Sequence, residues 1–299
     1  MQRKTHLDTT AIVCLVLCAA LWGVNQSASK VAVTEIAPLL QAALRSAGAA
    51  ALLGLWAGWR RLDLRPSGGV LRPGLLAGML FALEFGCIFV GLQYTHASRM
   101  AVFIYLAPFV VALAMPWLAP SERLHWPQWV GLGVAFAGVA AAFAEGFVAP
   151  AAGPLQWWGD TLGVAAAVLW AGTTLTIRGT RLSQALPEQT LMYQLLVSAL
   201  LLGAASWLAG EQWPVAASTR AWSALAFQTV IVTFASYLLW FWLVRHYAAT
   251  RISAFTLLTP IYLGTRQINL RDVRNVRTPA DLKGVKLRMP GSKEWLFLG

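Results

Sequence analysis

Eight apolar runs separated by short polar punctuation occupy most of this chain, at 9–29, 38–59, 73–94, 98–118, 129–144, 159–177, 188–209 and 221–244. A helix needs roughly 20 apolar residues to cross the hydrocarbon of a bilayer, and only helices or closed barrels satisfy every backbone group there. The run at 129–144 is the shortest. Charged residues make up 12% of the chain and hydrophobic ones 58%, against roughly 25% charged in a soluble domain. The pattern therefore predicts an all-α membrane protein with the lipid bilayer as its first partner.

Charge supports this reading and fixes an orientation. The chain is net +11, yet the segment 263–299 alone holds eight Lys/Arg against three acids, so the high pI does not point to nucleic acid. With the N-terminus in the cytoplasm, the inner segments carry Arg3, Lys4, Arg60, Arg61, Arg65, Arg72, Arg123, Arg178, Arg181, Arg245 and Arg251, and the outer ones only Lys30, Arg99 and Arg220. Cytoplasmic retention of cations makes this the expected topology, in the inner (plasma) membrane. Trp56, Trp59, Trp117, Trp126, Trp129, Trp157, Trp158, Trp207, Trp222 and Trp242 sit near run ends, where indole rings prefer the headgroup level. The run at 9–29 follows Arg3 and Lys4 but is too long, and too poor in a small-residue cleavage site, to read as a removed secretory signal.

The chain also repeats itself. Ala19-Ala-Leu-Trp22 is followed eight residues on by Lys30, and Ala167-Val-Leu-Trp170 eight residues on by Arg178, an offset of 148. The stretch from Arg99 to Pro108 matches that from Arg251 to Pro260 at an offset of 152. Matches at nearly one offset indicate an internal repeat. Five helices separate equivalent points, so the second copy lies upside down relative to the first. Such inverted repeats recur in secondary transporters, whose halves enclose a site at the membrane midplane.

These segments, with Tyr94-Thr-His-Ala-Ser-Arg99 leading into the Pro108 helix and the run from Ser121 to Gly131, resemble the EamA-type repeat of the drug/metabolite transporter superfamily over about 9–262. The resemblance implies ten helices in two five-helix repeats and a carrier or exporter of small metabolites, often amino acids or related compounds, by alternating access and with proton coupling open. Residues 1–147 are expected to form the first repeat and 148–262 the second. The second is expected to be incomplete, with eight full helices plus a half helix, because 252–262 spans only about 16 Å. From 263 the chain resembles instead a fragment of the DctP-like solute receptor of tripartite ATP-independent periplasmic transporters, carried by Pro279-Ala-Asp-Leu-Lys-Gly-Val-Lys-Leu-Arg-Met-Pro290. By that resemblance Arg288, and Arg274 less directly, would pair with a substrate carboxylate. At 37 residues the tail is too short to fold as that receptor, and a joined pair of gene fragments, with impaired transport, accounts for it better than a two-function protein. A membrane-anchored receptor fragment for organic acids is the alternative.

Within the membrane part, Glu84 is the most informative residue, an isolated carboxylate midway along an apolar run and a candidate proton acceptor. Arg45 is its natural cationic counterpart, with Gln41 one turn before it. Asn25, Tyr105, Tyr193 and Tyr237 supply further polar groups for a transport path, and Pro108 and Pro260 are candidate kinks at equivalent repeat positions. Cys14, Cys18 and Cys87 read as small apolar residues, not as metal ligands. No His-Glu-x-x-His or Gly-x-Ser-x-Gly motif occurs, and the glycines at 131, 133 and 138 lack the Lys-Ser/Thr of a phosphate loop. An enzyme, a metal and a cofactor are not expected; a small-molecule substrate is, and a homodimer is left open.

Overall fold

A computed structural model describes residues 7–65, 69–120, 123–148 and 151–256. The chain divides into two units, Met1–Gly264 and Thr265–Gly299, and everything described belongs to the first. The expected half helix beyond Phe255, the candidate kink at Pro260 and the receptor-like segment with Arg274 and Arg288 lie outside the described residues.

The described residues form helices joined by turns and loops. In chain order they form α1 (Thr9–Val33), α2 (Pro38–Trp59), α3 (Leu71–Gly91), α4 (Ala97–Ile104), α5 (Ala107–Leu118), α6 (Trp126–Ala142), a single turn α7 (Glu145–Val148), α8 (Gln156–Gly179), α9 (Pro187–Leu208), α10 (Thr219–Phe227), a π-helical stretch (Gln228–Ser236), α11 (Tyr237–His246) and α12 (Ala249–Phe255). Six spans are long and apolar enough to cross a membrane: α2, α3, α8, α9, the α4–α5 pair as Ser98–Leu118, and α10 to α11 as Thr219–His246. Two further helices are apolar, α1 over Thr9–Asn25 and α6, which has 17 residues.

Local chemistry sets the ends. Pro38 and Pro187 open α2 and α9, where a missing N–H costs nothing. Asp8 caps α1 by accepting the Ala11 N–H at 2.9 Å. The N-terminus of α2 is capped from a distance: Glu211, beyond α9, accepts the Leu39 and Leu40 N–H groups at 3.1 and 2.7 Å, and a carboxylate there also meets the positive end of the helix dipole. The fourth span breaks between α4 and α5 at Tyr105–Leu106, with Pro108 in the first turn of α5.

Glu35, in the turn between α1 and α2, accepts both the backbone N–H and the hydroxyl of Ser218, the cap of α10. These bonds hold the Glu35 carboxyl below its ordinary value of 4.5. A depressed carboxylate contributes stability above its unfolded pKa and loses it as pH falls through the folded one. Hydrogen exchange at the Ser218 amide is therefore expected to be slow at pH 7 and to lose its protection, relative to neighbouring amides, below pH 4.5, and Glu35→Gln should remove that pH dependence.

Helix packing follows a two-fold rule. α3 packs on α8 as α1 packs on α10; α3 meets α9 as α2 meets the π-helical stretch; α4 and α5 lie on α8 as α12 lies on α1; and α2 crosses α9. Exchanging the repeats maps this list onto itself, as a pseudo-two-fold axis requires. The repeat-related Trp22 and Trp170 touch each other edge to face, centroids 6.4 Å apart, so the axis passes close to that pair. Glycines admit the closest approaches: a Cβ on Gly159 would fall 2.8 Å from the Gly91 carbonyl oxygen.

Candidate functional site

The central polar groups come from four spans. In α2, Gln41 and Arg45 lie one turn apart on one face and are 0% and 1% exposed. In α1, Trp22, Asn25 and Ser29 share a face by their i, i+3, i+7 spacing. In α3, Glu84 is buried between Phe81 and Phe85 in sequence. The π-helical stretch and the start of α11 bring Gln228, Thr233, Ser236 and Tyr237. A widened turn displaces side chains from α-helical register, and such stretches recur at functional sites.

Hydrogen bonds knit part of this group. Gln41 donates from Nε2 to Gln228 Oε1 at 2.9 Å, and Ser29 donates its hydroxyl to the same oxygen at 3.1 Å. Trp22 donates Nε1–H to Ser236 Oγ at 2.9 Å, and Ser236 donates to the Val232 carbonyl. Ser46 and Ser198 tie α2 to α9 at 3.1 Å. Aromatic rings form the wall: Trp22 meets Trp240 at 5.2 Å and Tyr237 at 6.1 Å, and Tyr237 meets Phe81 at 6.0 Å.

Arg45 stands outside these bonds. Its guanidinium lies over the Phe85 ring, 4.1 Å from the centroid, within electrostatic reach of Glu84 and Tyr237. Its Nε and Nη2 have no hydrogen-bond partner, and neither do Asn25 Oδ1, Gln41 Oε1, Gln194 Oε1 and Thr233 Oγ1. A buried guanidinium with free donors in an apolar interior is costly. What it can do is receive an anion, since its planar fork presents two parallel N–H bonds to a carboxylate.

Glu84, Arg45 and Tyr237 thus come together, with Asn25 on the adjoining face of α1. Tyr105 and Tyr193 do not join them. Tyr105 packs with Val102, Ala112, Leu132 and Val139 toward α6, and Tyr193 lies against Gly74, ten residues before Glu84 in α3. Pro108 sits at the break of the fourth span. Among the described residues no group of three or more His, Cys, Asp or Glu could hold a metal ion. Gln228, Trp240 and Phe85 are additions that the sequence did not single out. Trp22 and Trp170 stood out only as markers of the repeat.

The fold and the sequence have known counterparts. A solved crystal structure shares the fold with a TM-score of 0.69 at 20% identity, over 84% of this chain and 83% of that one. An uncharacterized transporter of Archaeoglobus fulgidus is 24% identical over 264 residues, covering 88% of this chain and 87% of its own. The uncharacterized transporter YvbV of Bacillus subtilis is 27% identical over 262 residues, 85% of this chain and 81% of its own. The EamA-like transporter family matches twice, over residues 9–144 and 157–265. The two matches cover most of the chain with the same unit, and the protein belongs to the EamA-like transporter family of multi-pass membrane proteins.

Proposed function

We propose that this chain is a secondary transporter of small organic anions with an apolar body, amino acids and related carboxylates among them, which it binds at Arg45 and passes across the membrane by alternating access. The observation that carries this reading is the Arg45 guanidinium, 1% exposed with two nitrogens unpartnered and backed by Phe85 and the Trp22–Tyr237–Trp240 wall. The aromatic rings suit an apolar body, and the Gln41–Gln228 pair offers hydrogen bonds to a second polar group. Glu84 is the proposed proton carrier. A proton on its carboxyl removes a negative charge from the neighbourhood of Arg45 and so favours an incoming anion, which couples anion and proton in the same direction. The orientation with the N-terminus in the cytoplasm of the inner membrane belongs to this reading, and a homodimer is compatible with it.

The test is a thermal-shift panel of carboxylates, amines and neutral solutes on the full chain in nanodiscs. Apolar carboxylates are expected to stabilise it by about 2–3 kcal/mol at a hundred times their Kd, more at pH 6 than at pH 8, with the pH effect absent in Glu84→Gln. Stabilisation by amines, or by carboxylates equally in Arg45→Gln, would refute the anion reading.

A further inference from the structure

Away from the central group, one side-chain cluster is unexplained by solute binding. Arg99, in the first turn of α4, forms a forked ion pair with Asp160 near the start of α8. Its Nε lies 3.1 and 3.2 Å from the two carboxylate oxygens, and its Nη2 makes a third, shorter bond. Thr95, just before α4, donates its hydroxyl to the same carboxylate at 2.6 Å. The guanidinium is stacked on Phe147 at 4.3 Å, and both charged groups are about five-sixths buried, at 16% and 15% exposure. The cluster ties the α3–α4 corner of the first repeat to α8 of the second, where Gly91 and Gly159 bring the backbones together.

The opposite face carries the repeat-related contact. At 152 residues from Asp160, Thr95 and Arg99 stand Asp8, Tyr247 and Arg251; α1 and α8 themselves align at 148 through Trp22 and Trp170, so Asp8 lies one helical turn before the equivalent of Asp160. The correspondence is not only one of sequence, because Tyr247 donates its hydroxyl to Asp8 at 2.9 Å, as Thr95 donates to Asp160. Tyr247 lies between α11 and α12 of the second repeat, and Asp8 at the start of α1 of the first. Each span crosses once, so the start of α1 and the start of α8 lie on opposite faces. A hydroxyl and a carboxylate from different repeats thus close each face.

We infer that these are two latches of one alternating device: Thr95–Arg99–Asp160 holds the two repeats together on one face, Tyr247–Asp8 holds them together on the other, and the transport cycle opens one while the other stays closed. This rests on the alternating-access part of the function proposed above, but not on the nature of the solute. The residues are positioning residues. Releasing either latch biases the equilibrium toward the state open on its own face, and rigid-body rocking makes the two biases opposite in sign.

The test needs no solute. In the full chain with Cys14, Cys18 and Cys87 replaced by alanine, a cysteine is placed under each latch, Met100→Cys near Asp160 and Ala11→Cys near Asp8, both at positions that are buried. The labelling rate is then followed in nanodiscs with a water-soluble maleimide. Asp160→Asn is expected to raise labelling at 100 about tenfold and to lower it at 11. Asp8→Asn, in which asparagine keeps the helix cap, and Tyr247→Phe should do the reverse. Combining Asp160→Asn with Asp8→Asn should return the ratio of the two rates toward that of the parent, and the exchanged pair Arg99→Asp/Asp160→Arg should restore slow labelling at 100. If each substitution speeds labelling only under its own latch and leaves the other site unchanged, the contacts are local fastenings and the coupled device is wrong. Should Asp160→Asn fail to fold, Thr95→Val gives the same reciprocal test through the loss of one hydrogen bond.

Discussion

The double variant Arg45→Met/Glu84→Gln should be more stable than the parent by about 1–3 kcal/mol and should bind no anion. Replacing a buried charge pair with groups of similar volume is often neutral or stabilising by roughly 1–4 kcal/mol, because the desolvation of both charges is recovered. Here the gain is expected at the favourable end. Arg45 is 1% exposed, leaves two nitrogens without partners and rests on Phe85, a contact that the methionine thioether can inherit. Glutamine keeps the shape of Glu84 without leaving a carboxylate opposite a lost cation. Thermal unfolding in nanodiscs reads the stability, and the carboxylate panel reads the binding. A variant that is clearly less stable but still stabilised by carboxylates would make the pair a structural fastening and move the binding site elsewhere. Stability that is retained for function's sake is a familiar trade in reverse: active sites keep groups that the fold would discard.

Glycine at 78 is the second position where one atom should matter greatly. On α3 facing α9, an added Cβ would lie 2.7 Å from Val197 Cβ and 2.8 Å from the Tyr193 carbonyl oxygen, and the carbonyl, being backbone, cannot step aside. Overpacking of this kind costs roughly 1–3 kcal/mol, so Gly78→Ala is expected near the upper end. The same substitution at Gly131 in α6, where nothing lies within 4 Å of the new atom, should stabilise by about 0.5–1 kcal/mol through helix propensity. Opposite signs for one chemical change would show that α3 and α9 pack as described; equal small effects would show that they do not.

Much of the fold was legible because hydrocarbon leaves the backbone few options. Each apolar run became helical within a few residues of its sequence bounds, and Pro38 and Pro187 open two of the helices. Glu84 and Arg45 stood out because an isolated charge in an apolar run is rare enough to mean something by itself. What could not be read was helix phase and distant pairing. Tyr105 and Tyr193 are polar aromatic residues in apolar runs, like Tyr237, and nothing within one helix says which of them turns toward Arg45. The π-helical stretch at Gln228–Ser236 is a change of hydrogen-bond register, to which composition is blind. Asp160 looked like an ordinary residue at a helix start because its partner Arg99 is 61 positions away. A partial signal existed: the interval of 152 that matched Arg99 to Arg251 also separates Asp8 from Asp160, although α1 and α8 themselves align at 148 through Trp22 and Trp170. Trp22 and Trp170 were found as repeat markers. Their contact follows only when the two-fold axis is known to run between them.

Solute counterflow tests the central claim most directly. The full chain is reconstituted into liposomes loaded with the carboxylate that most stabilises it, and uptake of a labelled trace of the same compound is followed. A site exposed alternately to each side predicts a transient accumulation that requires the internal load and disappears in Arg45→Gln. Uptake that ignores the internal load, or that persists unchanged in Arg45→Gln, would contradict the account.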